Sequence, residues 1–227
     1  MLPSQTVENY LKTIFLAQIA GGSSDALVPM GQIATSLGVV PGTATTMIKT
    51  LAESGLVHYE PYFGVRLTPA GEKLASVVVR RHRLIELFLV RVLGMSWAEV
   101  HDEAERLEHA VSERLIDRID EMLGRPAVDP HGDPIPSAEG QLARVDHADL
   151  LAAPQHVPLV VARVTDQDPG FLRFVEERHL KPGDPVVIEQ RNPEADRIQL
   201  RVDDGQTVTI GTRAASKVLV EPRERPH

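Results

Sequence analysis

The sequence predicts an α+β chain: an N-terminal winged helix-turn-helix, a middle region of long amphipathic helices, and a C-terminal small β-barrel. Three observations carry this. Apolar residues recur at helical spacing through residues 7–54 and are followed by two short strand-like runs around Pro61–Gly64. Two long amphipathic segments come next, over residues 69–93 and 97–123. After Gly124 the chain becomes rich in Pro, Gly and Asp, then breaks into short β-type runs.

In the first region, residues 7–20 read as a helix on the spacing of Leu11, Ile14, Phe15 and Ile19. Two shorter helices are expected over 30–37 and 41–54, joined by a tight turn at Gly38, with Ala44, Met47, Ile48 and Leu51 as the inward stripe of the second. Thr68 and Pro69 are an N-cap and a first-turn proline, and they open the first long helix. Gly94–Ser96 breaks it. The second long helix is expected to carry Val100, Ala104, Leu107, Val111, Leu115 and Ile119 as one stripe, and such a helix pair commonly forms a dimer interface. Strands are expected at LVVARV, PVVIEQ, RIQLRV and TVTIG, a helix over 171–180, and a turn at Lys181–Asp184. The boundaries read as 1–75 for the winged helix, 76–140 for the helical domain, 141–156 for a linker and 157–227 for the barrel.

Composition narrows the chemistry. The 227 residues contain no cysteine, which excludes disulfides, thiolate metal sites and cysteine nucleophiles. A metal site here has to be built from His, Asp, Glu, Asn, Gln or backbone oxygen. The N-terminus lacks a signal-peptide pattern and no apolar run would span a bilayer, so a cytoplasmic protein with no membrane partner is expected. The net charge is −8, and residues 1–75 carry 4 Lys/Arg against 5 Asp/Glu. No basic block exists to hold phosphates constitutively. Conditional binding stays open, because bound cations offset acidic charge.

The densest chemical signal is HDEAERLEHA. On one continuous helix, His101, Glu105 and Glu108 share a face at i, i+4, i+7, with His109 beside Glu105. Upstream, His82 and Glu86 stand one turn apart. Together they suit metal ligation; a solvated charged face with i,i+4 pairs is the alternative. The second signal is the helix over 41–54, where Thr43, Thr45, Thr46 and Lys49 point away from the apolar stripe and can meet base edges or phosphates. Arg66, near the wing, reads equally as a phosphate contact or a surface arginine. A metallohydrolase is the reading from a different class, though no HExxH or nucleophile motif is present. A winged helix serving only protein contacts is another.

The motifs TVENYL, IATSLGVVPGTATTMIKTLAESGLV, LTPAGEKLA, RRHRLIELFL, VHDEAERLEHAVSERL and DPHGDPIP, in that order, resemble the family of the diphtheria toxin repressor, the iron-dependent regulators and the manganese transport regulators. The resemblance implies an SH3-like C-terminal barrel and a homodimer that binds a double-stranded, palindromic DNA operator when metal-loaded. It implies control of metal homeostasis, with no small-molecule substrate. It also implies two metal sites per subunit. The primary one would use Asn9, Glu105, Glu108 and His109. The ancillary one would use His82, Glu86 and His101, completed by Asp168 or Gln167. Iron-type members carry Cys where this chain has Glu105, and a hard carboxylate favours Mn²⁺, with Fe²⁺, Zn²⁺ and Co²⁺ as alternatives. Asn9 departs from the Met or Asp usual at its position.

Overall fold

The computed structural model describes residues 4–223, apart from 24, 144, 145, 203 and 204. The chain divides into two compact units. The first comprises Met1–His82, Glu108–Val111 and Pro136–Leu142; the second comprises Arg83–Leu107, Ser112–Ile135 and Ala143–His227.

The first unit begins with α1 (Gln5–Ala20), whose Ser4 N-cap accepts a hydrogen bond from the Val7 amide. It buries Tyr10, Leu11, Ile14 and Phe15. Then come α2 (Met30–Ser36) and α3 (Pro41–Glu53), with Gly38 at φ 63° between them. That left-handed conformation is the reason a glycine sits there. The expected stripe of α3 is realised: Ala44, Ile48 and Leu51 are buried and Met47 packs beside them. Strands β1 (Val57–Glu60) and β2 (Gly64–Leu67) pair antiparallel as the wing, with Val57 opposite Leu67. Gln18 ties α1 to the wing by accepting from the Leu67 amide at 3.3 Å. Helix α4 (Pro69–Arg91) opens at Thr68, whose hydroxyl accepts from the Gly71 amide.

The second unit holds the rest of α4 and two further helices. One continuous helix over 97–123 is not what forms. The chain makes α5 (Val100–Leu107) and α6 (Glu113–Met122), separated by a turn. Ser112 caps α6 by accepting from the Leu115 amide, a start signal that ends any continuous helix before it. The expected apolar stripe is therefore broken at Leu115, while its members Val100, Ala104 and Ile119 are buried. Ile116 and Ile119 are buried, while Leu115 is exposed.

The C-terminal part is a six-stranded antiparallel sheet. Its strands are β3 (Ala148–Asp149), β4 (Leu159–Val164), β5 (Pro185–Asn192), β6 (Arg197–Arg201), β7 (Thr207–Ile210) and β8 (Val218–Pro222), ordered β3-β8-β4-β5-β6-β7. Bulges at Val161/Arg163 and Ile188/Gln190 bend β4 and β5. Helix α7 (Pro169–Glu176) is shorter than the expected 171–180 and starts two residues earlier, because Asp168 caps it. Helix α8 (Thr212–Ala215) precedes β8. β3 lies within the stretch read as linker, and β8 was not anticipated. Leu159, Val161, Leu172, Ile188, Leu200 and Val218 fill one core, which Trp97 and Ala98 join from before α5. Burial of such side chains, at roughly 1.5–3 kcal/mol each, is what holds the sheet closed over α7.

Candidate metal centre and DNA-reading helix

In the first unit, polar side chains from α1, α4 and residues 108–109 form a buried network. Glu108 is fully buried and follows the last residue of α5. Its Oε2 accepts from Lys12 Nζ at 2.8 Å and from His82 Nδ1 at 2.6 Å. Burial opposes ionisation of Glu108; the His82 hydrogen bond and the Lys12 ammonium outweigh it and hold the carboxyl below the usual carboxylate range.

His109 Nδ1 donates to Glu8 Oε2 at 2.6 Å, and Arg81 Nη1 lies 3.3 Å from Glu8 Oε1. This use of Nδ1 leaves Nε2 as the lone-pair nitrogen. That nitrogen is buried, 3.3 Å from Glu108 Oε1, and has no hydrogen-bond partner. A carboxylate that orients one ring nitrogen and frees the other is the arrangement typical of metal-ligating histidines. Asn9 Oδ1 is also buried without a hydrogen-bond partner. On α1, Asn9 stands between Glu8, which holds His109, and Lys12, which holds Glu108. The donor set fits a divalent cation: two orphaned lone pairs and a buried carboxylate, all hard or borderline donors.

The second unit contains another such group. The loop 129–133 is tied by Asp129 Oδ1, which accepts from the amides of His131 at 2.8 Å and Asp133 at 3.0 Å. Gly132 lets this loop press on β4, since a Cβ there would lie 2.0 Å from the Ala162 carbonyl oxygen. His131 Nε2 donates to the Trp97 carbonyl at 2.9 Å, which leaves Nδ1 as the lone-pair nitrogen. Nδ1 of His131 and Oδ2 of Asp129 are buried without hydrogen-bond partners, and Glu86 Oε2 is 3.8 Å from His131 Nδ1. One ligand atom each from Glu86, Asp129 and His131 fall within 4.8 Å of one another. Burial, then the charges of Asp133 and Glu86, push the Asp129 carboxyl up to about 7. Burial lowers the His131 imidazole, and Glu86 and Asp129 more than reverse it, so the net shift is upward. This group also fits a divalent cation.

The sequence-predicted residues are distributed as follows. Asn9, His82, Glu108 and His109 belong to the first unit; Glu86, His101, Glu105, Asp168 and Gln167 belong to the second. The single helical face proposed for His101, Glu105, Glu108 and His109 does not exist as such, because α5 ends at Leu107. Glu86 Oε1 lies 3.2 Å from His101 Nδ1, and Glu105 Oε1 lies 3.8 Å from His101 Nε2. Asp168 serves as the α7 cap, and Gln167 Nε2 donates to Asp133 Oδ2 at 2.9 Å. Sequence reasoning missed Lys12, Asp129 and His131. The only signal for the last two was DPH within a Pro/Gly-rich stretch.

Residues 3–65 match the iron dependent repressor N-terminal DNA binding domain, residues 68–137 the iron dependent repressor metal binding and dimerisation domain, and residues 149–222 the FeoA domain. The iron-dependent repressor IdeR of Mycobacterium bovis is 30% identical, over 95% of this chain and 96% of its own length. The chain belongs to the iron-dependent repressor family. Among solved structures, a manganese-dependent transcriptional repressor in complex with manganese is 41% identical at TM-score 0.84, covering 96% of this chain and 100% of that one. ScaR with bound Zn²⁺ is 32% identical at TM-score 0.76, covering 97% and 100%.

The protein is thus a metal-dependent, DNA-binding transcriptional repressor with a dimerisation domain and an SH3-like C-terminal domain. The family is one of repressors, not enzymes, which removes the metallohydrolase alternative. Among the described residues no helix is long and apolar enough to cross a membrane.

In the repressor's helix-turn-helix, α3 presents Thr43, Thr46 and Lys49 to solvent, with Thr45 half-buried. The hydroxyls of Thr45 and Thr46 donate to the carbonyls of Pro41 and Gly42, at 2.9 and 3.0 Å. Their oxygens remain available as acceptors. Arg66 Nη1 is 3.5 Å from Asp25 Oδ1, an exposed and weak pair. At the wing tip Tyr62, at φ 71°, and Phe63 are exposed.

Proposed function

We propose that this repressor responds to Mn²⁺, holding it through Asn9 Oδ1, Glu108, His109 Nε2 and Glu105, and that the loaded dimer binds a palindromic operator in the cytoplasm to control metal homeostasis. The observation that carries the reading is the pair of orphaned lone pairs, on Asn9 Oδ1 and His109 Nε2, beside the buried Glu108 carboxylate. Glu105, three residues before Glu108, supplies a carboxylate where iron-type relatives have a thiol. An all-oxygen-and-imidazole donor set suits manganese. The manganese complex of the 41%-identical relative supports the same choice.

A second ion per subunit would sit at Glu86, Asp129 and His131. The expected ancillary set of His82, Glu86 and His101 is the other candidate group for it, and the Asp168 side chain caps α7. In the absence of metal, His82 donates to Glu108, and His101 bonds the Glu86 oxygen that does not face His131.

Bound metal supplies positive charge and directional bonds that join α1 to residues 108–109. The protein does the remainder. Glu8 fixes the His109 ring, α1 carries the half-buried Asn9 next to Glu8, and α3 packs in the same unit's core as α1. Affinity for the ordered conformer shifts the population toward the form whose two α3 helices match half-sites about 34 Å apart. Titrating operator DNA with Mn²⁺, Fe²⁺, Zn²⁺ and Co²⁺ tests this. Mn²⁺ should activate within its physiological range and chelator should reverse it; binding indifferent to chelator would contradict the proposal.

Two outcomes follow for the partners. Lys49→Ala on α3 should weaken binding to all operators alike and reduce the slope of log affinity against log salt by about 1, as loss of one phosphate contact does; a changed base preference with an unchanged slope would refute that role. On α6, Leu115 and Met122 are exposed, and at i,i+7 they share a face. Leu115→Glu with Met122→Glu should convert dimer to monomer by analytical ultracentrifugation. A dimer of unaltered affinity would place the interface elsewhere.

A further inference from the structure

Lys12 is an unusual residue for a metal centre. It is only 7% exposed, and its Nζ donates to both oxygens of Glu108, at 2.8 and 3.1 Å. The same ammonium lies 3.1 Å from His82 Nδ1. A positive charge carried by the chain itself is thus lodged among the side chains that would receive a cation. We propose that Lys12 is a tethered competitor of the metal ion, and that the strength of its ion pair with Glu108 sets the metal concentration at which the repressor loads. This rests on the reading that Glu108 is a metal ligand.

A buried carboxylate without a counter-charge is strongly unfavourable. With no ion bound, Lys12 supplies that charge, so the ligand cage is stable while empty of metal. Both Glu108 oxygens are engaged: Oε2 by Lys12 and His82, Oε1 by Lys12, with His109 Nε2 at 3.3 Å. A divalent ion needs a lone pair of this carboxylate, and an ammonium at the same oxygens repels it. Loading therefore requires Nζ to withdraw from at least one oxygen. Four rotatable bonds permit that movement, where the planar fork of an arginine would resist it.

The work of breaking the pair is the same whichever ion enters. Lys12 therefore raises the threshold for every ion and leaves their order of affinity unchanged. That separates it from a ligand, which would alter the order.

Lys12→Met keeps most of the buried apolar stem and removes the charge. The apo variant should melt at a lower temperature than wild type. Its calorimetric affinity for Mn²⁺, measured without DNA, should tighten by about ten-fold or more, the value of a hydrogen bond to a charged group. Its Mn²⁺-induced rise in melting temperature should exceed that of wild type, and Zn²⁺ and Co²⁺ should tighten by the same factor. Unchanged or weaker Mn²⁺ affinity overturns the proposal, since Lys12 would then be supporting the carboxylate in its ligating position. Lys12→Gln, a shorter neutral donor, should move affinity in the same direction and serves if the Met variant does not fold. Glu108→Gln is measured alongside. If it binds Mn²⁺ as wild type does, Glu108 is no ligand and the metal reading itself fails. If it loses Mn²⁺ while Lys12→Met gains nothing, competition alone is refuted.

Discussion

Glu108→Gln is expected to lower Mn²⁺ affinity by about 100-fold or more and to remove metal-stimulated operator binding. Loss of a ligand has to cost at least what loss of its orienting partner costs, itself about 10–100-fold. The substitution also acts on the apo protein. Glu108 is fully buried and faces Lys12 and His82, so neutralising it leaves the ammonium without its full partner. Removing one member of a buried pair costs about 3–5 kcal/mol, and the carboxamide oxygen, which still accepts from Lys12, keeps the loss near the lower end. Calorimetric titration and thermal melting separate the two effects. Wild-type activation by Mn²⁺ in this variant would remove Glu108 from the site.

Asp129→Asn is expected to do the opposite to apo stability. Three carboxylates, of Glu86, Asp129 and Asp133, are buried together with Arg83 nearby. Burial and the neighbouring acids raise the Asp129 carboxyl to about 7, well above its ordinary value near 4. A group raised in the fold binds its proton more tightly there than in the unfolded chain. Its contribution is therefore complete below about pH 4 and is lost as pH rises through about 7. Asparagine keeps an oxygen for the amides of His131 and Asp133 and carries no charge to desolvate. The apo variant should be more stable than wild type by about 1–3 kcal/mol at pH 8, with little gain at pH 4. Its Mn²⁺-induced stabilisation should fall. A variant less stable than wild type at pH 8, yet stabilised by Mn²⁺ as wild type is, would show that Asp129 holds the loop and nothing else.

The helix-turn-helix was legible because its information is local. The spacing of Ala44, Ile48 and Leu51, the left-handed turn at Gly38 and the Thr68 cap are each written within a few residues. The same local logic failed at residues 108–112. A long apolar period suggests one helix, while Ser112 caps a separate one. Glu108 and His109 stay proposed ligands, because the resemblance to the family motif does not depend on the backbone there. Lys12 was invisible for a different reason: its partner Glu108 is 96 residues away, and only packing reveals that the two meet. Asp129 and His131 sat in a stretch that composition marks as loop. Their meaning depends on the hydrogen bond His131 donates to the Trp97 carbonyl and on those the loop amides donate to Asp129, which decide the ring nitrogen and carboxylate oxygen left over. β3 is two residues long and lies far in sequence from its partner β8, so no periodicity announces it.

Diffraction from crystals grown with Mn²⁺, recorded at the manganese absorption edge, tests the central claim most directly. An anomalous peak is expected within about 2.0–2.3 Å of Glu108, His109 Nε2 and Asn9 Oδ1. Density at full manganese occupancy elsewhere, with Lys12 still bridging both oxygens of Glu108 and no peak beside His109, would contradict it.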